Sequence, residues 1–529
     1  MRSYRTAIGV CAAATLLAGC GGGDDGGGGG GGGEPVDGGT FSFAINADPG
    51  NLDPQASAAT NLYQMSHFAY DSLVYVDADG KVVSGLAEDW SVEGSTVTLT
   101  LKDGITCSDG SPFTAADAAE NLTYLADPEN QSPFLGVFVP ADVQASADDA
   151  TRTVTLTLAS PAPFVLEGLA GVPMVCASGL ADRSGLASAT LGTGPYELTE
   201  VVPSDHYTYT LRDGYSWGPD GDSTDAEGMP DELVVQIVSN ETTAANLLLS
   251  GDLNGAQILG PDAQRLDDEG LFSADVTAVI GEAWFNQAEG RPAADPAVRL
   301  ALTQGLDLGQ LAEVIAAGRG GPGTSLAASG AAACPGDSVS DALPEFDVDA
   351  AEAALDDAGW TVGSGGTRSK DGTPLALTFI YDTGLGTSGS AAAELVGAAW
   401  KDLGVDVTTT PQDETALVET IFSGGDWDYA WVPVNVSSPD QMVPFLSGPA
   451  SPDGNNFASI DNADYNAGVA EAMTMLGAEG CDTWLEAESA LIRDADVIPF
   501  ANQPASFFGS GAEFAVVDGL VPTSIRMLG

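Results

Sequence analysis

Phe41, Phe43 and Ile45 alternate with polar residues, the period-two pattern of a strand with one buried face. Val97, Leu99 and Leu101 repeat it, as do Val154, Leu156 and Leu158. Between those two sets, Thr114-Ala-Ala-Asp117 has the form of a variant capping box and predicts a helix through Leu125. The run Leu233–Val238 is a candidate buried strand, and Thr242–Leu249 reads as a helix stopped by Gly251.

From about residue 290 the periodicity changes. Asp295-Pro296 supplies an N-cap and a first-turn proline before a helix through Leu302 and Leu306. Val348–Ala358 predicts a helix closed by Gly359, Leu375–Tyr381 a strand, and Ala391–Leu403 a helix closed by Gly404. Val405–Val407 predicts a short strand, Leu417–Phe422 a helix, and Trp427–Val434 an extended segment. Helices alternating with strands indicate a mainly parallel sheet covered on both faces. From Val497 the Pro- and Phe-rich chain reads as strand and loop returning to a core. No repeat of a solenoid period is present.

The N-terminus stands apart. Arg2 and Arg5 precede an apolar stretch from Ala7 to Leu17, too short to span a bilayer core of about 30 Å. Leu17-Ala18-Gly19-Cys20 resembles a bacterial lipobox, in which Cys20 is diacylated on sulfur and becomes the mature N-terminus. The alternative, an ordinary secretory leader with an incidental cysteine, is disfavoured because cleavage site, cysteine and glycine-rich spacer coincide. Residues 1–19 are therefore expected to be a lipoprotein signal peptide and residues 20–38 a tether. Eighteen Gly-rich residues reach roughly 24 Å.

Composition adds habitat rather than chemistry. Once Arg2 and Arg5 leave with the leader, 76 acidic side chains face 14 basic ones, a formal charge of −62. Such a surface repels nucleic acid and anionic headgroups, so no nucleic-acid partner is expected. An acidic surface spread along the whole chain suits a saline medium, where screening removes self-repulsion. Beyond Cys11 and Cys20 four cysteines remain, Cys107, Cys176, Cys334 and Cys481. An even number outside the cytoplasm implies two disulfides, with three connectivities open. The two histidines, His67 and His206, lie far apart in sequence, so no dedicated metal site and no cofactor are expected. The chain lacks a G-x-S-x-G elbow, an H-E-x-x-H helix and a P-loop, which disfavours a secreted hydrolase. A receptor lipoprotein without transport remains the other rival.

Seven short segments then carry a resemblance. Asn51-Leu-Asp-Pro54 follows the first strand. Leu86-Ala-Glu-Asp-Trp90 stands where a known family has "LAESW". Leu101-Lys-Asp-Gly104 followed by Ser108-Asp-Gly-Ser-Pro-Phe-Thr-Ala-Ala-Asp117 is similar to "LRDGVKFSDGTPFTAEDV", with Cys107 set into it. Gly192-Thr-Gly-Pro-Tyr196 matches a GTGPY turn, Arg212–Gly218 looks like "RNPDYWGG", and Pro296–Asp307 resembles a "D.RVRQALNLAID" helix varied at Gln304-Gly305-Leu306. In order and spacing these resemble the extracytoplasmic solute-binding proteins of peptide/nickel-type ABC importers (family 5), over about residues 40–510.

The resemblance implies an α/β (mixed α+β) fold of the type II periplasmic-binding-protein kind, two hinged lobes with a small extra domain. Lobe I is expected to comprise 39–57, 187–286 and 499–529, with an inserted subdomain at 58–186; lobe II is expected at 287–498. Crossings near Trp284–Asn286 and Pro499–Asn502 would form the hinge. Cys107–Cys176 and Cys334–Cys481 are then the favoured pairs, because each lies within one unit. The protein is expected to be a monomer, held to the membrane through Cys20, that carries a small solute to permease subunits and does no chemistry of its own. A peptide is the favoured solute, and an oligosaccharide or other non-peptide the alternative.

In peptide-binding members an aspartate four residues before a proline holds the ligand's amino group. The corresponding position is Asn435, ahead of Pro439, which supplies no formal charge. A small offset would bring Asp428 or Asp440 there instead. Trp284, Trp431 and Tyr63 are candidates to stack on a ligand, or else core residues. Asn46, at the end of the first strand, is a candidate contact by its position in the family, and Asn286 is either a ligand group or a hinge cap.

Overall fold

The computed structural model describes residues 33–529 apart from Ala58, Ala141 and Ser329. The lipid-site expectation at Cys20, and the leader before it, lie outside the described residues. Strand β1 (Thr40–Ile45) has the expected alternation, and helix α1 (Thr60–Ala69) brings Phe68 edge-on to Phe43. The chain then builds a four-stranded antiparallel sheet from β2 (Ala87–Glu93), β3 (Thr96–Leu101), β4 (Gln144–Asp148) and β5 (Thr153–Thr157), in the order β2-β3-β5-β4. Helix α2 (Ala115–Ala126) packs across it, opened by the capping box read from sequence. Thr114 Oγ1 accepts from Asp117 N–H at 3.3 Å, and the Asp117 carboxylate accepts from Thr114 N–H at 2.8 Å. A short helix, α3 (Val165–Ala170), follows.

A hairpin of β6 (Tyr196–Val202) and β7 (His206–Leu211) leads to β8 (Glu232–Ile237). Helix α4 (Glu241–Ser250) ends at Gly251, whose φ of +77° is the left-handed C-cap that glycine adopts without a Cβ clash. Strand β9 (Gly255–Ile258) and the long strand β10 (Phe272–Phe285) come next. The helix expected through Leu306 is two: α5 (Pro296–Gln304) and α6 (Leu308–Ile315). Asp307 starts the second by accepting from Gln310 N–H at 3.0 Å, a capping signal that outweighs the continuous apolar pattern. Helix α7 (Val348–Asp357), strand β11 (Ala376–Asp382), helix α8 (Gly386–Asp402), strand β12 (Asp406–Gln412) and helix α9 (Glu414–Phe422) then alternate as expected. The extended segment expected over Trp427–Val434 contributes only β13 (Tyr429–Trp431) to the ladder. Helices α10 (Ala463–Ala472) and α11 (Cys481–Arg493) precede the second long strand, β14 (Val497–Gly509).

Ten of these strands form one sheet, in the order β12-β11-β13-β10-β14-β9-β1-β8-β7-β6. At one end β12, β11 and β13 are parallel, and at the other β9, β1 and β8 are parallel. Antiparallel β10 and β14 run through the middle and join the two ends. Their register is regular from Phe272 opposite Gly509 to Val279 opposite Asn502. It shifts twice, around Gly281, and resumes from Glu282 opposite Pro499 to Trp284 opposite Val497. The break coincides with the crossing expected at Pro499–Asn502. On the other strand it lies at Val279–Glu282, a few residues before Trp284–Asn286.

Separate cores flank this break. One gathers Leu302, Phe379, Trp400 and Trp431, another Phe41, Phe68, Tyr209 and Phe507, and a third Leu99, Leu122, Leu156 and Met174 of the inserted unit. Helix α1 sends Met65 and Phe68 into the core of β1, so it packs with lobe I although the expected boundary at residue 58 assigns it to the subdomain. Tyr215 and Trp217 pack the other way, into the subdomain core. The disulfides are Cys107–Cys176 and Cys334–Cys481, the favoured pairs.

Candidate functional site

Residues 136–168 of the subdomain and residues 438–473 of lobe II face each other across a gap, lined from both loops and helices. Helix α1 places Tyr63 and His67 one turn apart, their rings edge-to-face at 4.7 Å. Both are half-buried. Desolvation pushes the His67 imidazole down to about 4, so it is neutral at pH 7, and pushes the Tyr63 phenol up, with the Asp518 charge adding to the rise. Asp518, on the loop after β14, has its own pKa raised by burial. Across from it Gly330 of lobe II comes so close that a methyl group there would stand 2.5 Å from the Asp518 carboxylate.

Further from the sheet the gap encloses a cavity of about 250 Å³. The subdomain contributes Phe138, Phe164 and Val165, and lobe II contributes Asp440, Val443 and Met473. Asp440 accepts from Ser438 Oγ at 2.6 Å, yet burial pushes its carboxyl up to about 6. Glu167, on α3, is pushed up to about 7 by burial first and by the Asp440 charge. Two carboxyls thus approach each other from opposite sides of the gap. Among the described residues no lysine, arginine or histidine lines the cavity. Arginines elsewhere in the molecule are engaged by other acids: Arg183 holds Asp53 at 2.7 Å and Arg299 holds Asp496 at 2.7 Å. Among the described residues no three His, Cys, Asp or Glu side chains are grouped to hold a metal ion.

Three of the residues singled out from sequence are core rather than cleft. Trp284 and Trp431 are fully buried in lobe II, the first donating from Nε1 to Val432 O at 2.9 Å, the second to the Tyr429 hydroxyl at 3.1 Å. Pairing of β10 with β13 sends the two indoles to opposite faces of the sheet, and a separate core covers each face, so neither is open to the gap. Asn286 is also buried, donating to Trp427 O at 3.0 Å and accepting from Ala288 N–H at 3.1 Å, which makes it a turn cap. Asp428 accepts from Thr378 N–H and Arg291 and is likewise structural. Asn46 is exposed and accepts from Asn61 Nδ2 at 2.7 Å.

Asn435 is exposed, but its carboxamide binds the hinge strand. Oδ1 accepts from Val279 N–H at 2.9 Å and Nδ2 donates to Val279 O at 3.2 Å. Glu282, three residues on in that strand, accepts from Val434 N–H at 2.6 Å and is fully buried, its pKa raised well above the ordinary value by desolvation. These side chains continue the β10–β13 ladder past the bulge. Of the candidate contacts, only Tyr63, Asn46 and Asn435 keep surface toward solvent. Glu167 and Asp518 were not singled out from sequence, since isolated acids in a chain this acidic carry no signal of their own.

The family model for bacterial extracellular solute-binding proteins, family 5, matches residues 81–456, well over half the sequence. The chain belongs to this family. Among family relatives, Protein XP55 of Streptomyces lividans is 28% identical over 329 residues, 60% of this chain and 57% of that protein. The periplasmic murein peptide-binding protein MppA of Escherichia coli is 25% identical over 495 residues, 86% of each. A substrate-binding protein from Microbacterium hydrocarbonoxydans, solved with 4-hydroxybenzoate hydrazide, superposes with a TM-score of 0.73 at 27% identity, covering 92% of this chain and 99% of that one. Family 5 solute-binding proteins capture a small solute outside the cytoplasmic membrane and deliver it to ABC import permeases, and the two-lobed type II fold is theirs. Among the described residues no helix is long and apolar enough to cross a membrane.

Proposed function

We propose that this family 5 protein is a lipid-anchored carrier that closes lobe II and the subdomain around a peptide, or a comparable solute, bearing a cationic group beside apolar ones. The observation that carries this reading is the cavity of about 250 Å³ bounded from both sides, with Asp440 and Glu167 on it or beside it and no base. Two carboxyls desolvated together repel, and a ligand ammonium or guanidinium relieves that repulsion as the gap closes. An anionic solute adds to it. Phe138, Phe164 and Met473 supply the apolar contact that such sites use for most of their affinity.

Asp440 takes over the charge that Asn435 cannot supply, while Asn435 serves the hinge strand. The anchor at Cys20 keeps the carrier close to its permease, and the tether leaves it free to turn. Native mass spectrometry of the intact protein as purified tests the solute: a co-captured mass carrying a basic group is expected in the wild type and its loss in Asp440→Asn. A captured anion, or an unchanged complement in Asp440→Asn, rules the reading out. Palmitate labelling tests the anchor, with incorporation expected in the wild type and none in Cys20→Ser.

A further inference from the structure

The inserted subdomain touches lobe II at two places outside the central sheet, and both fall on one cross-linked platform. The first is the Gly80 turn, which lies so close to Ala332 that a methyl group on Gly80 would stand 2.9 Å from the Ala332 carbonyl oxygen. The second is Pro163-Phe164. The Pro163 carbonyl accepts from Gly477 N–H at 3.0 Å, across the gap. Phe164 is 2% exposed and shares a small apolar cluster with Trp484, Cys334 and Ala472, its ring 6.2 Å from that of Trp484. A large side chain of one unit is thus buried by the other. The receiving surfaces, residues 331–334 and the start of α11 with the turn before it, are distant in sequence. The Cys334–Cys481 disulfide joins them. Ala333 N–H adds a bond to Ser437 O at 2.7 Å, next to the loop that carries Asp440.

We propose that Phe164, seated on the platform held by Cys334–Cys481, is a latch that keeps the subdomain shut on lobe II and sets how long a captured solute is retained. Phe164 is suited to the part because it also forms a wall of the cavity, so the contact that locks the gap is the one that encloses the solute. The disulfide acts here through what it joins. Without it, the Gly80 and Phe164 contacts engage two independently moving segments, and ordering each separately costs conformational freedom. The other disulfide, Cys107–Cys176, lies wholly within residues 58–186 and takes no part in this contact.

Hydrogen exchange of the intact chain reads the latch directly, because the Gly477 amide is protected by the Pro163 carbonyl. Wild type is expected to protect it. Phe164→Ala, and separately Cys334→Ala with Cys481→Ala, are expected to speed its exchange at least tenfold and to raise the radius of gyration in small-angle scattering. The amides of Leu485–Leu491 in α11 should keep their protection in the Phe164 variant, and Phe164→Leu should restore that of Gly477. Unchanged Gly477 exchange in Phe164→Ala overturns the proposal. Loss of α11 protection in that variant does so too, since Phe164 then props lobe II instead of fastening to it. The latch rests on reading the cavity as a capture site for its purpose, but not for this test. Should native mass spectrometry find no solute while Gly477 responds as stated, the latch stands and the capture reading falls.

Discussion

Asp71 shows how much one side chain organises. It is fully buried where the subdomain meets lobe I and accepts from Tyr75, Thr193 and Tyr215 hydroxyls at 2.9, 2.8 and 2.7 Å and from Trp217 Nε1 at 3.2 Å. Burial raises its pKa despite four donors. Asp71→Ala orphans the three hydroxyls, at about 1–3 kcal/mol for each that finds no water, while Trp217 Nε1 keeps its bond to Thr193 O at 3.1 Å. A loss of roughly 3 kcal/mol or more is expected in urea unfolding, and a loss under 1 kcal/mol would contradict this account. Glu167 and Asp440 make a prediction of opposite character. Carboxyls raised to about 7 and about 6 where the two sides of the gap meet hold their protons longer there than when solvated. Closure therefore gains as pH falls through that range and weakens as pH rises through it. The radius of gyration should shrink from pH 8 to pH 5.5, and Glu167→Gln should flatten the change. The same scale limits what sequence reveals. Trp284 and Trp431 read as stacking aromatics along the sequence, and only the structure shows that they lie on opposite faces of one sheet, each under its own core. Asn435→Ala should accordingly cost about 1–2 kcal/mol of stability, the worth of its bonds to Val279, and leave the captured mass unchanged.

Among elements, those with their own local signals were legible. The capping box at Thr114, Pro296 after its Asp295 cap, and the glycines ending α4, α7 and α8 fix chain direction within a turn, whatever the rest of the molecule does. The central strands were not. β10 and β14 change partners along their length and are buried on both faces near the break, so no period of two survives there. Between Val279 and Glu282 the ladder slips, and Gly281 sits against Phe500: a Cβ would meet the ring at 2.6 Å and Ala501 Cβ at 2.8 Å. Gly281→Ala should overpack this point, lower stability by about 1–3 kcal/mol and blunt closure. Calorimetry paired with scattering checks both, and a variant that closes and melts like the wild type would exclude the bulge as the flexing point.

Across the whole molecule, charge sets the working conditions. The few cations are engaged by acids at fixed places, such as Arg183 with Asp53, Arg299 with Asp496 and Arg319 with Asp267, so most of the negative surface has only solvent ions to balance it. Screening lengths shrink to about 3 Å at 1 M salt. The melting temperature should therefore climb by several degrees between 0.05 and 1 M NaCl, and a flat profile would refute an electrostatic penalty of this kind. Composition announced that dependence in advance. It held no information on which acids face the gap, because that follows from segments around residues 138, 167 and 440 converging from distant parts of the chain.

The paired central strands have one more consequence. Sliding one lobe past the other would shear the ladder between β10 and β14, whose bonds resume on both sides of the bulge. Swinging about the bulge leaves nearly all of them intact. On that geometry the bulge is the expected flexing point, with one coordinate of opening. A single label pair across the gap would report its full travel, and every solute must be met along that same arc.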